Sequence, residues 1–78
     1  MGQKTRDYTI AVVLRTLDIL EALADGKRPL GPTELARRVG TTPSAAFRIL
    51  KTLEERGYVA RDPITGQYRL GTRLAYLG

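Results

Sequence analysis

Seventy-eight residues make one small domain with one core at most. A hydrophobic content of 42% fits a folded globule, while 13 Lys plus Arg against 8 Asp plus Glu leave a net charge of +5 that favours polyanionic partners. The absence of both Cys and His removes disulfides, thiolate zinc sites and His-based acid/base chemistry, so no metal, cofactor or enzymatic role is expected.

Residues 1–8 are polar and without periodicity, and read as a flexible arm whose cations Lys4 and Arg6 could reach a minor groove. The opening has no apolar stretch of the signal-peptide kind. Nor does it match an N-myristoylation signal, because position 6 after Met-Gly is Arg. No apolar run approaches the roughly 18 residues of a membrane span, and a cytoplasmic location is expected.

Thr9 is a plausible N-cap for a first helix carrying Ile10, Val13, Leu14, Leu17, Leu20 and Ala24 at helical spacing, with Asp25-Gly26 as its stop. Val12, Ile19 and Leu23 widen this apolar arc to roughly 220°, broader than a one-sided surface helix needs. Either a later helix covers the excess or a partner subunit does. Lys27 to Gly31 is a loop, and Pro32 suits the first position of a second, short helix. Glu34 favours its dipole, Leu35, Ala36 and Val39 form its apolar face, and Gly40 ends it. A third helix follows, capped by Thr42, with Pro43 at its first position and Gly57 as its stop. Two helices separated by about three residues cannot continue as one rod and must cross.

After Gly57 the pattern becomes strand-like. Tyr58–Arg61 and Gln67–Leu70 are joined by Asp62-Pro63-Ile64-Thr65-Gly66, a good hairpin loop. Tyr68 and Leu70 point one way, Gln67 and Arg69 the other. Residues 72–78 look like the start of another helix, as though a longer protein continued beyond it. The expected architecture is mainly α with a small β-hairpin: a winged helix-turn-helix over residues 9–71, made of three helices and a two-stranded wing, then a linker helix.

The stretch Pro32 to Lys51, PTELARRVGTTPSAAFRILK, carries the function. A helix-turn-helix needs a small residue where its helices meet and a residue tolerant of left-handed backbone at the turn, and Ala36 and Gly40 supply them. Leu35, Val39, Ala46 and Ile49 would fill the wedge. With Ala46, Ile49, Leu50 and Leu53 as the core stripe, Ser44, Phe47, Arg48 and Lys51 point outward. That face is free of acids until Glu54 and Glu55, which suits entry into the major groove by its N-terminal half.

Arg48 can grip guanine O6 and N7. Ser44 can donate to a base edge or a phosphate, and Ala45 and Phe47 offer apolar contact to a thymine methyl. Lys51 and Thr42 suit backbone phosphates, as do Arg61 and Arg69 beside the wing loop, with Thr65 and Gln67 secondary. Pro32 and Thr33, at the open N–H groups of their helix, make a further phosphate seat. Each candidate also has a plainer role: a solvated helix face for Arg48 and Lys51, partial burial for Phe47, exposed strand for the wing arginines. Ser44 as a nucleophile lacks a His partner.

The segments RTLDILEALADG (Arg15–Gly26), PTELARRVG (Pro32–Gly40), LKTLEERGYVARDPITGQYRLG (Leu50–Gly71) and the trailing RLAYLG resemble the N-terminal domain of the IclR family of bacterial transcription regulators. Thr41, where an apolar residue is usual, and the small run Pro43-Ser44-Ala45-Ala46 depart from that pattern. The resemblance implies sequence-specific binding of double-stranded, palindromic operator DNA by a repressor or activator. It also implies homodimers paired through the first helix and the linker helix, and a small-molecule effector bound only in a C-terminal domain absent here. The competing reading is a winged helix used for protein association without DNA reading, which would call for an acidic or apolar outer face on the third helix.

Overall fold

Helix α1 spans Gly2–Asp25, α2 Pro32–Val39 and α3 Pro43–Glu55, followed by the antiparallel strands β1 (Val59–Arg61) and β2 (Tyr68–Leu70). The computed structural model describes residues 2–26 and 28–74, and side chains from residue 10 onward. Lys4 and Arg6 therefore have no described side chains. Of the expected linker helix, Arg73 and Leu74 have helical backbone, and 75–78 lie outside the described residues.

The first helix begins at Gly2, so residues 2–8, expected as an arm, continue the helix, and Thr9 lies inside it and not at its N-cap. No Pro or Gly interrupts residues 3–24. Gln, Lys and Arg are good helix formers, and lengthening an existing helix avoids the cost of nucleation. Among the described residues no helix is long and apolar enough to cross a membrane.

The face that α1 turns to the core also differs from the expected stripe. Ile19 and Leu23 are buried, with Leu20 and Ala22 packed beside them. Ile10, Val13, Leu14 and Leu17, the heart of the expected stripe, are 49–54% exposed. An apolar arc this wide has two edges, and periodicity cannot say which one the rest of the chain will cover.

Helix α2 starts as expected, with Gly31 in extended conformation at the N-cap and Pro32 in the first turn. It ends where Gly40 adopts φ 75° and ψ 39°, the left-handed region that glycine enters without a Cβ clash. The Gly40 and Thr41 N–H groups both donate to the Ala36 carbonyl, closing the turn. Thr42 then caps α3 by accepting from the Ala45 N–H at 3.1 Å. At the far end Gly57 (φ 83°) lets the Tyr58 N–H return to the Leu53 carbonyl.

The core is one cluster: Ile19 and Leu23 of α1, Leu30 of the following loop, Leu35 and Ala36 of α2, Ala46, Leu50 and Leu53 of α3, and Val59 and Tyr68 of the wing. Val39 and Ile49 pack against its edge. Leu30, expected in a plain loop, exchanges two backbone hydrogen bonds with Tyr68 (3.0 and 2.7 Å) and so adds a one-residue third rung to the wing. A long-range pairing of this kind leaves no local mark on the sequence.

Gly71 closes the wing against the end of α3, its N–H donating to the Tyr58 carbonyl. A Cβ at position 71 would collide with the Gly57 carbonyl oxygen, a backbone atom with little room to move. Gly71→Ala is expected to destabilise the fold by about 1–3 kcal/mol, the usual range for overpacking. Urea unfolding followed by circular dichroism checks this.

Candidate nucleic-acid interface

Helix α3 packs on α2 and on β1 of the wing, with an open groove between it and α1, and its outer face is what remains. Ala46, Leu50 and Leu53 are consumed by the core. Ser44, Arg48 and Lys51 stand exposed, and Phe47 keeps 47% of its surface open to solvent. The first turn of α3 carries no acid. The exposed face thus keeps the cationic, acid-free character that a DNA-reading helix requires in its leading half.

On the α1 side, an open groove of about 510 Å³ is lined by Val12, Arg15 and Thr16 of α1 and by Ala45, Arg48, Ile49 and Thr52 of α3, among others. Ala45 is half-buried in this groove, on the flank of α3 and away from the outer face. Arg48 stands at the rim, so one cation borders both the outer face and the groove. Arg15 lines the same groove from the facing helix. No sequence signal singled it out, because its relevance depends on how α1 is rotated.

The wing borders the other flank. Burial raises the Tyr68 phenol pKa, with the Glu54 charge adding to the shift and the Arg61 guanidinium opposing it. Glu54, Tyr68 and Arg61 are thus neighbours, joining the wing to the last turn of α3. The register pairs Arg61 with Tyr68 and Ala60 with Arg69. Opposite residues of an antiparallel pair share a face, so Arg61 lies on the core-side face with Tyr68 and Arg69 on the outward one. Both arginines are exposed, one on each face of the hairpin.

The wing loop is closed by its own polar groups. Asp62 N–H donates to the Gln67 carbonyl and Gly66 N–H to the Asp62 carbonyl, both at 2.8 Å. The Asp62 carboxylate accepts from Ile64 N–H (2.8 Å) and Thr65 N–H (3.4 Å), while the Thr65 hydroxyl accepts from Gln67 N–H. This leaves Thr65 exposed, Gln67 half-buried and Ile64 92% exposed at the tip.

At the start of α2, Pro32 is half-buried and Thr33 exposed, and no side chain caps the helix. Nearby, one carboxylate gathers three arginines. Glu34 Oε2 lies 3.0 Å from Arg38, 3.5 Å from Arg28 and 3.6 Å from Arg37. The hydrogen bond from Arg38, more than any other influence, holds the Glu34 carboxyl below the usual range. The i,i+4 pair of Glu34 and Arg38 is local to α2, whereas Arg28 reaches it from the preceding loop.

The family described as IclR helix-turn-helix domain matches residues 12–63, two-thirds of the chain. The chain belongs to the IclR family. The glycerol operon regulatory protein of Streptomyces coelicolor is 39% identical over 64 residues, covering 82% of this chain and 25% of that protein. The transcriptional regulator KdgR of Escherichia coli is 37% identical over 70 residues, covering 90% of this chain and 26% of that protein.

A solved transcriptional regulator from Alicyclobacillus acidocaldarius superposes with a TM-score of 0.80 at 34% identity, covering 85% of this chain and 27% of that one. An IclR family regulator from Brucella abortus gives 0.78 at 28% identity, covering 86% and 26%. The chain spans about a quarter of the length of these relatives. Its fold is the IclR winged helix-turn-helix, a DNA-binding regulator domain.

The Asp62 carboxyl is held below the ordinary aspartate range, chiefly by the backbone hydrogen bond from Ile64. Folding lowers this pKa, so its contribution is complete above the unfolded value of about 3.9 and is lost as pH falls through the folded value. Ile64 amide exchange protection should therefore drop on acidification below about pH 4 in the native protein. In Asp62→Ala, protection should be low throughout. Amide NMR across that range is the check.

Proposed function

We propose that this IclR domain reads a palindromic operator in double-stranded DNA by laying the N-terminal half of α3 in the major groove. The observation that carries this is the outer face of α3. Ser44, Phe47, Arg48 and Lys51 stand clear of the core, with no acid before the last turn. A helix used only for protein association would have no reason to keep that face cationic.

Arg48 contacts a guanine edge, Ser44 donates to a base or phosphate, and the exposed part of the Phe47 ring meets a thymine methyl. Ala45 can reach a base only from the groove flank, which makes its contact the weakest of the four. Lys51, Thr42, and Pro32 with Thr33 at the uncapped end of α2 take backbone phosphates. Arg61 takes a further phosphate from one face of the wing and Gln67 and Arg69 from the opposite face, with Thr65 at the loop between them.

The exposed stripe Ile10, Val13, Leu14 and Leu17 on α1 pairs two copies, which matches a two-fold operator. A small effector would bind in the part of such a regulator that this chain does not span.

Selection from a random duplex pool should return a symmetric site, and binding to it should weaken with salt by a log–log slope of about −0.9 per neutralised phosphate. Arg48→Ala should cost about 1–3 kcal/mol of discrimination at one base pair per half-site while leaving the thermal melt unchanged. A flat salt response, or selectivity untouched by Arg48→Ala, would contradict the reading. Leu14→Glu should shift the chain from dimers to monomers in sedimentation equilibrium without unfolding it, because Leu14 is half-exposed in the domain.

A further inference from the structure

Three guanidinium groups converging on one carboxylate oxygen are more than the stability of the fold requires. Glu34 Oε2 is 3.0 Å from Arg38, 3.5 Å from Arg28 and 3.6 Å from Arg37, and all three arginines are exposed. Exposed ion pairs contribute little, and ordering three long side chains around one charge opposes them with lost rotamer freedom. Arg37 and Arg38 also sit in the last turn of α2, where cations suit the helix dipole. That accounts for two of the arginines, but not for Arg28, which arrives from outside the helix. One negative charge against three positive charges leaves a local surplus of two.

We infer that Arg28, Arg37 and Arg38 form a seat for a backbone phosphate of duplex DNA, in which the Glu34 carboxylate occupies the phosphate position in the free protein. Guanidinium forks match the paired oxygens of a phosphodiester better than a single carboxylate oxygen. The place is suitable as well. The last turn of α2 runs through the Gly40–Thr42 turn directly into the N-terminal half of α3, the part that enters the groove. Arg37 lies one turn beyond Thr33 on the same stripe of α2, so both border the same strand of a duplex. Glu34 is charged at neutral pH, as an ordinary carboxyl is, and the Arg38 hydrogen bond lowers its pKa further. It therefore acts as an internal counter-ion that must swing aside when a phosphate arrives, and it restrains adventitious anion binding until then.

This inference rests on the DNA-reading proposal, and the experiment separates the two. Binding of the chain to a random-sequence duplex is measured by fluorescence anisotropy between about 50 and 200 mM KCl. The wild type is compared with Arg28→Gln, Arg37→Gln, Arg38→Gln, Glu34→Gln and Arg56→Gln. Arg56, exposed at the C-cap of α3 beside Glu54 and Glu55, carries the same charge change away from the seat.

Each seat variant at Arg37 or Arg38 should flatten the log–log slope by up to about 0.9, shrinking the salt penalty over that range about 3.5-fold. Arg28→Gln should flatten it in the same direction, and Arg56→Gln by less than half as much. Glu34→Gln should tighten binding at the low-salt end by roughly threefold or more, since the counter-charge is gone and the arginines remain. Arg37→Gln and Arg38→Gln that behave like Arg56→Gln would overturn the seat and mark this patch as a surface for an acidic protein. Glu34→Gln that fails to tighten binding would overturn the counter-ion role. A wild type without salt-dependent duplex binding would remove the DNA reading itself. Coincident circular-dichroism melts of all variants establish that folding is not the cause.

Discussion

The close crossing of α2 and α3 is the constraint on which the rest of the molecule depends. It needs two alanines, Ala36 and Ala46, both fully buried, and a turn in which Gly40 takes left-handed backbone. A larger side chain at either alanine would push the helices apart in a core that contains no slack. A residue with a Cβ at Gly40 would strain the turn that sets their angle. Once the crossing is made, α3 has spent its inner face on Leu50, Leu53 and Ala46, and the polar remainder of the helix can only face outward.

The two flanks of α3 are then settled by different interactions. Ile19 and Leu23 bring α1 to one side and leave the groove that Arg15 and Arg48 share. Tyr68 brings the wing to the other, anchored by its own burial and by backbone exchange with Leu30. The wing is small, yet it is held at the strand pairing, at the loop through Asp62 and at Gly71. A hairpin of three-residue strands would be marginal alone, and here tertiary contacts supply what its length cannot. The cost of using the inner edge of α1 for the core is an apolar outer edge left in solvent, which is intelligible in a domain of a family whose members are far longer than this chain.

Much of this was legible in the residues themselves. Gly40, Gly57, Pro32, Thr42 and Pro43 are local signals whose meaning does not depend on distant contacts, and the turn, the caps and the end of α3 fell where they pointed. The outer face of α3 followed from helical periodicity once the core stripe was placed. The alternation in β2 likewise put Tyr68 inside and Arg69 outside. Less legible was Ala45, a base-contact candidate for its methyl group that the structure puts in the groove beside α1.

What the sequence determined by itself was therefore the helix-turn-helix, the outer face of α3 and the hairpin, because glycine, proline, capping hydroxyls and apolar spacing act within a few residues. Tertiary structure alone decided which edge of α1 is buried, that Leu30 joins the wing, that Arg61 and Arg69 lie on opposite faces, and that three arginines share Glu34. Each of these is a choice between local arrangements of similar energy, and it is made only when segments distant in the chain compete for the same core or the same charge.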